Sequence, residues 1–288
     1  MRHPLRPGGQ YAVSAMANPI FNEQTMQRDA KGWAAPVPGT HTSPQPVTDG
    51  PVSTWKRGMT VNGTITATTV LFVIFMIAAA FGWGAADGPT VINEAGQAVD
   101  TYQFPPIAML GIIIGFAAVI ASYFKPQLAK WLGPVYSIGY GFAVGAISKG
   151  YETFQDGIVL QAAGATVAVF AVMLVLYRTR IIKVTEKYRR IVIGATLGIM
   201  VLYLVSFVMS LFGADIPFIN SPSLLGIGFS VLVCALAAAN LALDFDLIER
   251  GTKTGMPKEY EWVAALGLLV TLVWLYLELL RLLSKLRQ

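Results

Sequence analysis

Apolar residues fill the chain in seven long runs, over residues 61–85, 106–124, 132–148, 158–177, 191–213, 224–243 and 262–283. Each approaches the ~20 residues that an α-helix needs to cross ~30 Å of hydrocarbon. The third, short and glycine-rich, is the weakest. The pattern predicts an all-α membrane protein with seven transmembrane helices. Residues 1–58 are rich in Pro, Gly, Gln, Thr and Ser and have no apolar period. They read as a disordered cytoplasmic N-terminal tail, followed by a seven-helix transmembrane domain over 59–288. The first apolar run starts too late for a secretory signal, and MANPIFN at 16–22 reads as the natural start of the protein.

The loops give an orientation, because Lys and Arg accumulate on the cytoplasmic side. Lys56 and Arg57 precede the first run, and Lys125 and Lys130 follow the second. Arg178, Arg180, Lys183, Lys187, Arg189 and Arg190 follow the fourth, and Arg250, Lys253 and Lys258 the sixth. The intervening loops hold only Lys149 and carry Asp87, Glu94, Asp100, Glu152 and Asp156. The N-terminus is therefore expected in the cytoplasm and, after seven crossings of the cell membrane, the C-terminus outside. Lys285 and Arg287 pull the other way, toward a last helix that re-enters.

Composition agrees with the pattern and removes several functions. The 288 residues are 55% hydrophobic and 13% charged, and mean hydropathy is +0.58. A soluble domain carries about 25% charged residues. The net charge of +5 sits in loops between apolar runs, so it is a topology signal and no sign of nucleic-acid binding. Cys234 is the single cysteine, and His3 and His41 both lie in the tail. No Ser-His nucleophile, membrane metal centre or cofactor motif can be assembled from these, and the chain is not expected to be an enzyme. GIIIG (111–115), GFAVG (141–145) and GATLG (194–198) are small-xxx-small pairs that let helices approach closely.

The residues that stand out are polar ones inside the runs. Asp244 and Asp246, in LALDFDLIERG (241–251), follow a long apolar approach. A carboxylate within hydrocarbon costs roughly 2.5–3.5 kcal/mol at a helix centre and less toward its end, so such a residue points to function. On the sixth helix Ser230, Cys234, Ala237, Asn240 and Asp244 recur every three or four residues and share one face. Asp246 points about 200° away from Asp244. On the seventh, Gly267, Thr271, Trp274 and Glu278 form a similar stripe, with Arg281 placed to pair with Glu278 at i, i+3. Gln161 on the fourth helix, and Asn62, Thr66 and Thr69 on the first, supply further polar faces that read as helix–helix glue. Lys125 falls at the same cytoplasmic level as Asp244, where burial and a nearby cation would pull its protonation in opposite directions.

GIVLQAAGATVAVF (157–170), LALDFDLI (241–248) and AALGLLVTLVWLYLELLRLL (264–283), together with seven runs and this charge pattern, resemble the Bax inhibitor-1/YccA family, the transmembrane Bax-inhibitor-motif family, in its bacterial branch. The resemblance covers about residues 60–283. It implies a fold with six helices surrounding a central seventh, and a pH-sensitive calcium leak with a closed/open equilibrium. It also implies two aspartates, one ending helix six and one within helix seven, that share a proton and latch the pore. Asp244 matches the first. Laying Tyr276-Leu277-Glu278 on the family's Tyr-Leu-Asp makes Glu278 the second, whereas alignment from both helix ends puts Thr271 there. At 1.5 Å per residue Thr271 lies ~14 Å beyond Trp262 and Glu278 ~24 Å, which favours Thr271 as the neighbour of Asp244.

Two functions follow as expectations. One is a cation leak with Asp244 as protonation switch and Asn240, Thr271 and Glu278 along the path. Ca²⁺ would be the permeant ion rather than a tightly held one, since it takes six to eight oxygens and the stripes offer few carboxylates. The other is a non-transporting membrane regulator with a membrane-protein partner, such as a modulator of a membrane protease. The tail and the 178–190 loop would then be its contact surfaces. An intramembrane aspartyl hydrolase is disfavoured, because no second membrane aspartate faces Asp244 and no Gly-x-Gly-Asp stretch occurs.

Overall fold

The computed structural model describes residues 58–92, 98–213, 219 and 221–288. The predicted tail, except Gly58, and the MANPIFN stretch lie outside these. Each apolar run forms a helix: α1 (Val61–Gly84), α2 (Pro106–Phe124), α3 (Ala129–Phe154), α4 (Ile158–Arg178), α5 (Glu186–Leu211), α6 (Leu224–Lys253) and α7 (Tyr260–Leu286). Six are long and apolar enough to cross a membrane. The exception is α3, whose run 132–148 is extended by polar turns bearing Lys130, Lys149 and Glu152.

Local chemistry sets the helix starts. Thr60, Thr185 and Ser223 accept from backbone N–H groups three residues on, at the starts of α1, α5 and α6. Glu152 does the same for α4 from a distance, accepting from the Gly157 and Val159 amides at 2.8 and 3.1 Å. The starts of α1, α5 and α7 and the ends of α4 and α6 meet on one side, here the near face. Met59 N–H donates to Met256 O at 2.6 Å, and the Arg250 guanidinium to Val184 O at 3.2 Å. On the far face Gln155 donates to Ser284 O at 3.2 Å and Arg287 to Asp156 O at 2.8 Å.

The acidic stretch after α1 holds an antiparallel hairpin that was not expected from the apolar pattern, β1 (Asp87–Ile92) and β2 (Ala98–Tyr102). Its strands run through Thr90, Val91, Ile92, Val99 and Thr101, β-branched residues that favour a pleated chain. Lys149 of α3 pairs with Asp87 at 2.9 Å and lies over the Trp83 ring, which ties the hairpin to α3.

Glycines set the closest packing. A Cβ on Gly145 would run into the Ala79 carbonyl, one on Gly82 into that of Phe142, and one on Gly139 would stand 2.8 Å from Gly111 O. The first two small pairs therefore join α3 to α1 and to α2. The third does not act this way: Gly194 and Gly198 have nothing near their missing Cβ atoms, and α5 has the least buried span, 11% against 56% for α7. The polar residues expected as glue also turn inward on their own helix. Thr66 and Thr69 hydroxyls donate to Asn62 O and Ile65 O, each 2.9 Å, and Gln161 is exposed.

Gly145→Leu is expected to lower thermal stability in detergent by about 1–3 kcal/mol, the usual cost of overpacking. Gly198→Leu, in open space, should stay within about 0.5 kcal/mol of wild type. Equal melting shifts for the two variants would contradict this packing.

Candidate functional site

α6 runs on past the predicted end at 243 for more than two turns, so Asp244, Asp246 and Glu249 are all helical. At 100° per residue Asp246 and Glu249 point to one side of the helix and Asp244 to the other, and each meets a different environment.

Asp244 faces α7. Its Oδ1 stands 3.7 Å from where a Cβ on Gly267 would be, and Thr271 lies beside the carboxyl one turn further. The Thr271 hydroxyl donates to Gly267 O at 3.1 Å, back-bonding along its own helix. Asp244 Oδ2 is buried with no hydrogen-bond partner, and no ion pair reaches Asp244 among the described residues. Lys125, expected at this level, makes no ion pair there.

Asp246 turns from α7 and toward α5. It is 8% exposed, accepts from Arg189 at 2.9 Å and from Arg250 Nε at 2.9 Å, and the two cations share Glu186. Asp246 thus closes an ion-pair network between α5 and α6. Its i, i+4 spacing to Arg250 is the signal that marks it in the sequence. Glu249 gathers the end of α4: Tyr177 Oη and Arg180 donate to it, the latter at 2.6 Å, as does Lys253 one turn on. The Glu249 hydrogen bond pushes the Arg180 guanidinium above its ordinary pKa.

The other expected residues do not join Asp244. Asn240 Nδ2 donates to Thr196 Oγ1 of α5 at 2.8 Å and to Leu236 O. Glu278, 2% exposed, accepts from Tyr203 Oη of α5 at 2.8 Å and pairs with Arg281 at 3.0 Å. Arg281 also donates to Tyr203 Oη at 2.7 Å and stacks on its ring. Ser230, at the head of the α6 stripe, binds Lys285. The Lys285 ammonium is 4% exposed and donates to Ile219 O, Gly226 O and Ser230 Oγ at 2.6, 3.0 and 2.8 Å. All three of its protons are used. Lys285 and Arg287 thus both bind backbone carbonyls at the far face. The two stripes therefore divide into an Asp244–Gly267–Thr271 contact near one face and a Glu278–Arg281–Tyr203 cluster toward the other.

A family model described as Bax inhibitor 1 like matches residues 18–288, a span that holds all seven helices and both clusters. The chain belongs to the Bax inhibitor 1 like family. No match is found among curated proteins. Within this member the carboxyl that ends the apolar part of helix six has a hydroxyl and a glycine opposite it on helix seven. Among the described residues no group of three or more His, Cys, Asp or Glu comes together to hold a metal ion.

The two α6 aspartates are expected to respond differently to neutralisation. Asp246→Asn leaves two guanidinium groups short of their carboxylate and should cost about 1.5–3 kcal/mol. Asp244→Asn removes no ion pair and should be neutral within about 0.5 kcal/mol. Thermal unfolding of both variants in one detergent checks the contrast.

Proposed function

We propose that this family member is a pH-sensitive cation leak, with Ca²⁺ as the permeant ion, in which Asp244 is the protonation switch. One observation carries the reading: Asp244 Oδ2 is buried inside a membrane helix bundle with no donor and no cation to meet it. A leucine would pack there without that cost, and an intramembrane carboxyl kept in such a place is a functional feature by default.

The charged and neutral forms ask for different surroundings. A carboxylate needs donors or a cation, and the α7 surface opposite supplies Gly267, which has no side chain, and the Thr271 hydroxyl, which is turned to its own helix. The neutral acid can lie against that surface as it stands. Proton occupancy of Asp244 therefore biases α6 against α7, and a ligand or proton shifts such an equilibrium only by what it gains in one state over the other. Glu278 is held by Arg281 and Tyr203, so the switch has a single carboxyl. The cytoplasmic assignment of the near face rests on the Lys and Arg of the 178–190 and 250–258 segments. Protein in liposomes loaded with a Ca²⁺ dye should pass Ca²⁺ with a rate that depends on pH, and Asp244→Asn should flatten that dependence. Flux no greater than in empty liposomes would end this reading.

A second reading, a regulator that binds another membrane protein, is favoured by one feature. α5 leaves its Gly194–Gly198 face uncovered, where a further helix could approach closely. Gly198→Leu should then abolish pull-down of the partner while leaving Ca²⁺ flux unchanged; a partner set identical to wild type would remove this role for α5.

A further inference from the structure

α1 and α4 both pack on α7 and scarcely touch each other, which leaves a cleft between them that opens sideways toward lipid. Two cavities, of about 840 and 660 Å³, occupy it, and they share Phe72, Phe170 and Leu272 as walls. The cleft follows α1 from Val61 to Trp83, ~33 Å at 1.5 Å per residue. Its length therefore matches the ~30 Å hydrocarbon core. Its nearer half, from Val61 to Phe72, is ~16 Å deep by the same rise, the depth of one leaflet.

The walls suit an acyl chain and no polar solute. Thr64, Thr68 and Thr69 line the nearer cavity, but each hydroxyl already donates to a carbonyl of its own helix, at 3.0, 2.9 and 2.9 Å. They offer methyl groups and no free donor. The farther cavity has no charged residue in its wall.

The two ends differ in charge. At the near face the rim holds Arg178, Arg180 and Lys253 against one carboxylate, Glu249. Glu249 fixes Arg180 and Lys253 in place, and exposed Arg178 makes no ion pair or side-chain hydrogen bond among the described residues, so the rim keeps a surplus of positive charge. Arginine and lysine at the mouth of an apolar slot one leaflet deep are complementary to a phosphate group carrying long hydrocarbon chains.

We infer that the α1–α4 cleft binds an anionic glycerophospholipid from the near-face leaflet, with its phosphate at Arg178, Arg180 and Lys253 and its acyl chains along Thr64–Phe72. Asp244 is not among the residues that line the cleft, so the site stands or falls independently of leak activity.

The test is native mass spectrometry of the full chain in detergent with equimolar dioleoyl phosphatidylglycerol and dioleoyl phosphatidylcholine. Phosphatidylglycerol should be retained preferentially. Arg178→Gln should lower that retention roughly fivefold, and Arg178→Gln with Lys253→Gln further, at about that factor for each cation near a phosphate. Lys187→Gln, an exposed cation on the same face but outside the cleft, should leave retention unchanged. Thr68→Trp, which fills the nearer cavity, should abolish it in protein that still elutes as one species. Equal retention of the two lipids, no loss in the double variant, or an equal loss with Lys187→Gln would overturn the proposal. Arg178 is exposed, so its variant decides the matter even if Thr68→Trp fails to fold.

Discussion

The structure depends on a constraint that hydrocarbon imposes: a polar group carried into the bundle must find its partner inside the protein, since neither water nor lipid supplies one. α7 is the most buried span and carries the most such groups. Each is answered by a different part of the fold. Glu261 accepts from Thr60 N–H and Oγ1–H, both at 2.9 Å, and so holds the first turn of α1. Tyr276 meets Ser148 of α3 at 2.7 Å. Glu278 and Arg281 take Tyr203 of α5, and Lys285 takes the start of α6. Hydrophobic burial cannot choose among helix partners in a solvent as apolar as leucine; hydrogen bonds and close glycine packing can.

Against that background the isolation of Asp244 gains its meaning. The other buried or half-buried carboxylates of the bundle are matched: Glu152 to two amides, Asp246 to two guanidinium groups, Glu249 to a phenol and two cations, Glu261 to a threonine, Glu278 to an arginine and a phenol. Five carboxylates are satisfied in this way, and one oxygen of the sixth, Asp244 Oδ2, is not. The seventh helix presents Gly267 there, which lets Asp244 approach it closely, with Thr271 beside the carboxyl.

Much of this was legible in the chain, and the misses share a cause. Hydrophobic runs located all seven helices, because span length is set by the bilayer and not by neighbours. The 1.5 Å rise placed Thr271 rather than Glu278 at the level of Asp244, since depth along a straight helix needs no tertiary knowledge. Periodicity, however, gives a face and not what the face meets. It turned Asp246 away from α7 correctly, yet could not say that Arg189 of α5 waits there. It grouped Asn240 with Asp244, although one meets α5 and the other α7. GATLG has the same spacing as GFAVG, but only the latter finds a helix, because the partner and not the motif decides. Lys285 read as a terminal charge; nothing local announces that two backbone carbonyls and a serine will enclose it.

The near end of α6 then takes on a definite mechanical character. Within six residues it carries Asp244 toward α7, Asp246 toward α5 and Glu249 toward the end of α4, at roughly 0°, 200° and 140° around the helix. Two of these contacts are ionic and hold the helix from one side. The third is a carboxyl whose Oδ2 has no hydrogen-bond partner. Arg189 ties this end of α6 to α5 and Arg180 ties it to the end of α4, and Glu249 links the same helix to Arg180 and Lys253 at the mouth of the α1–α4 cleft.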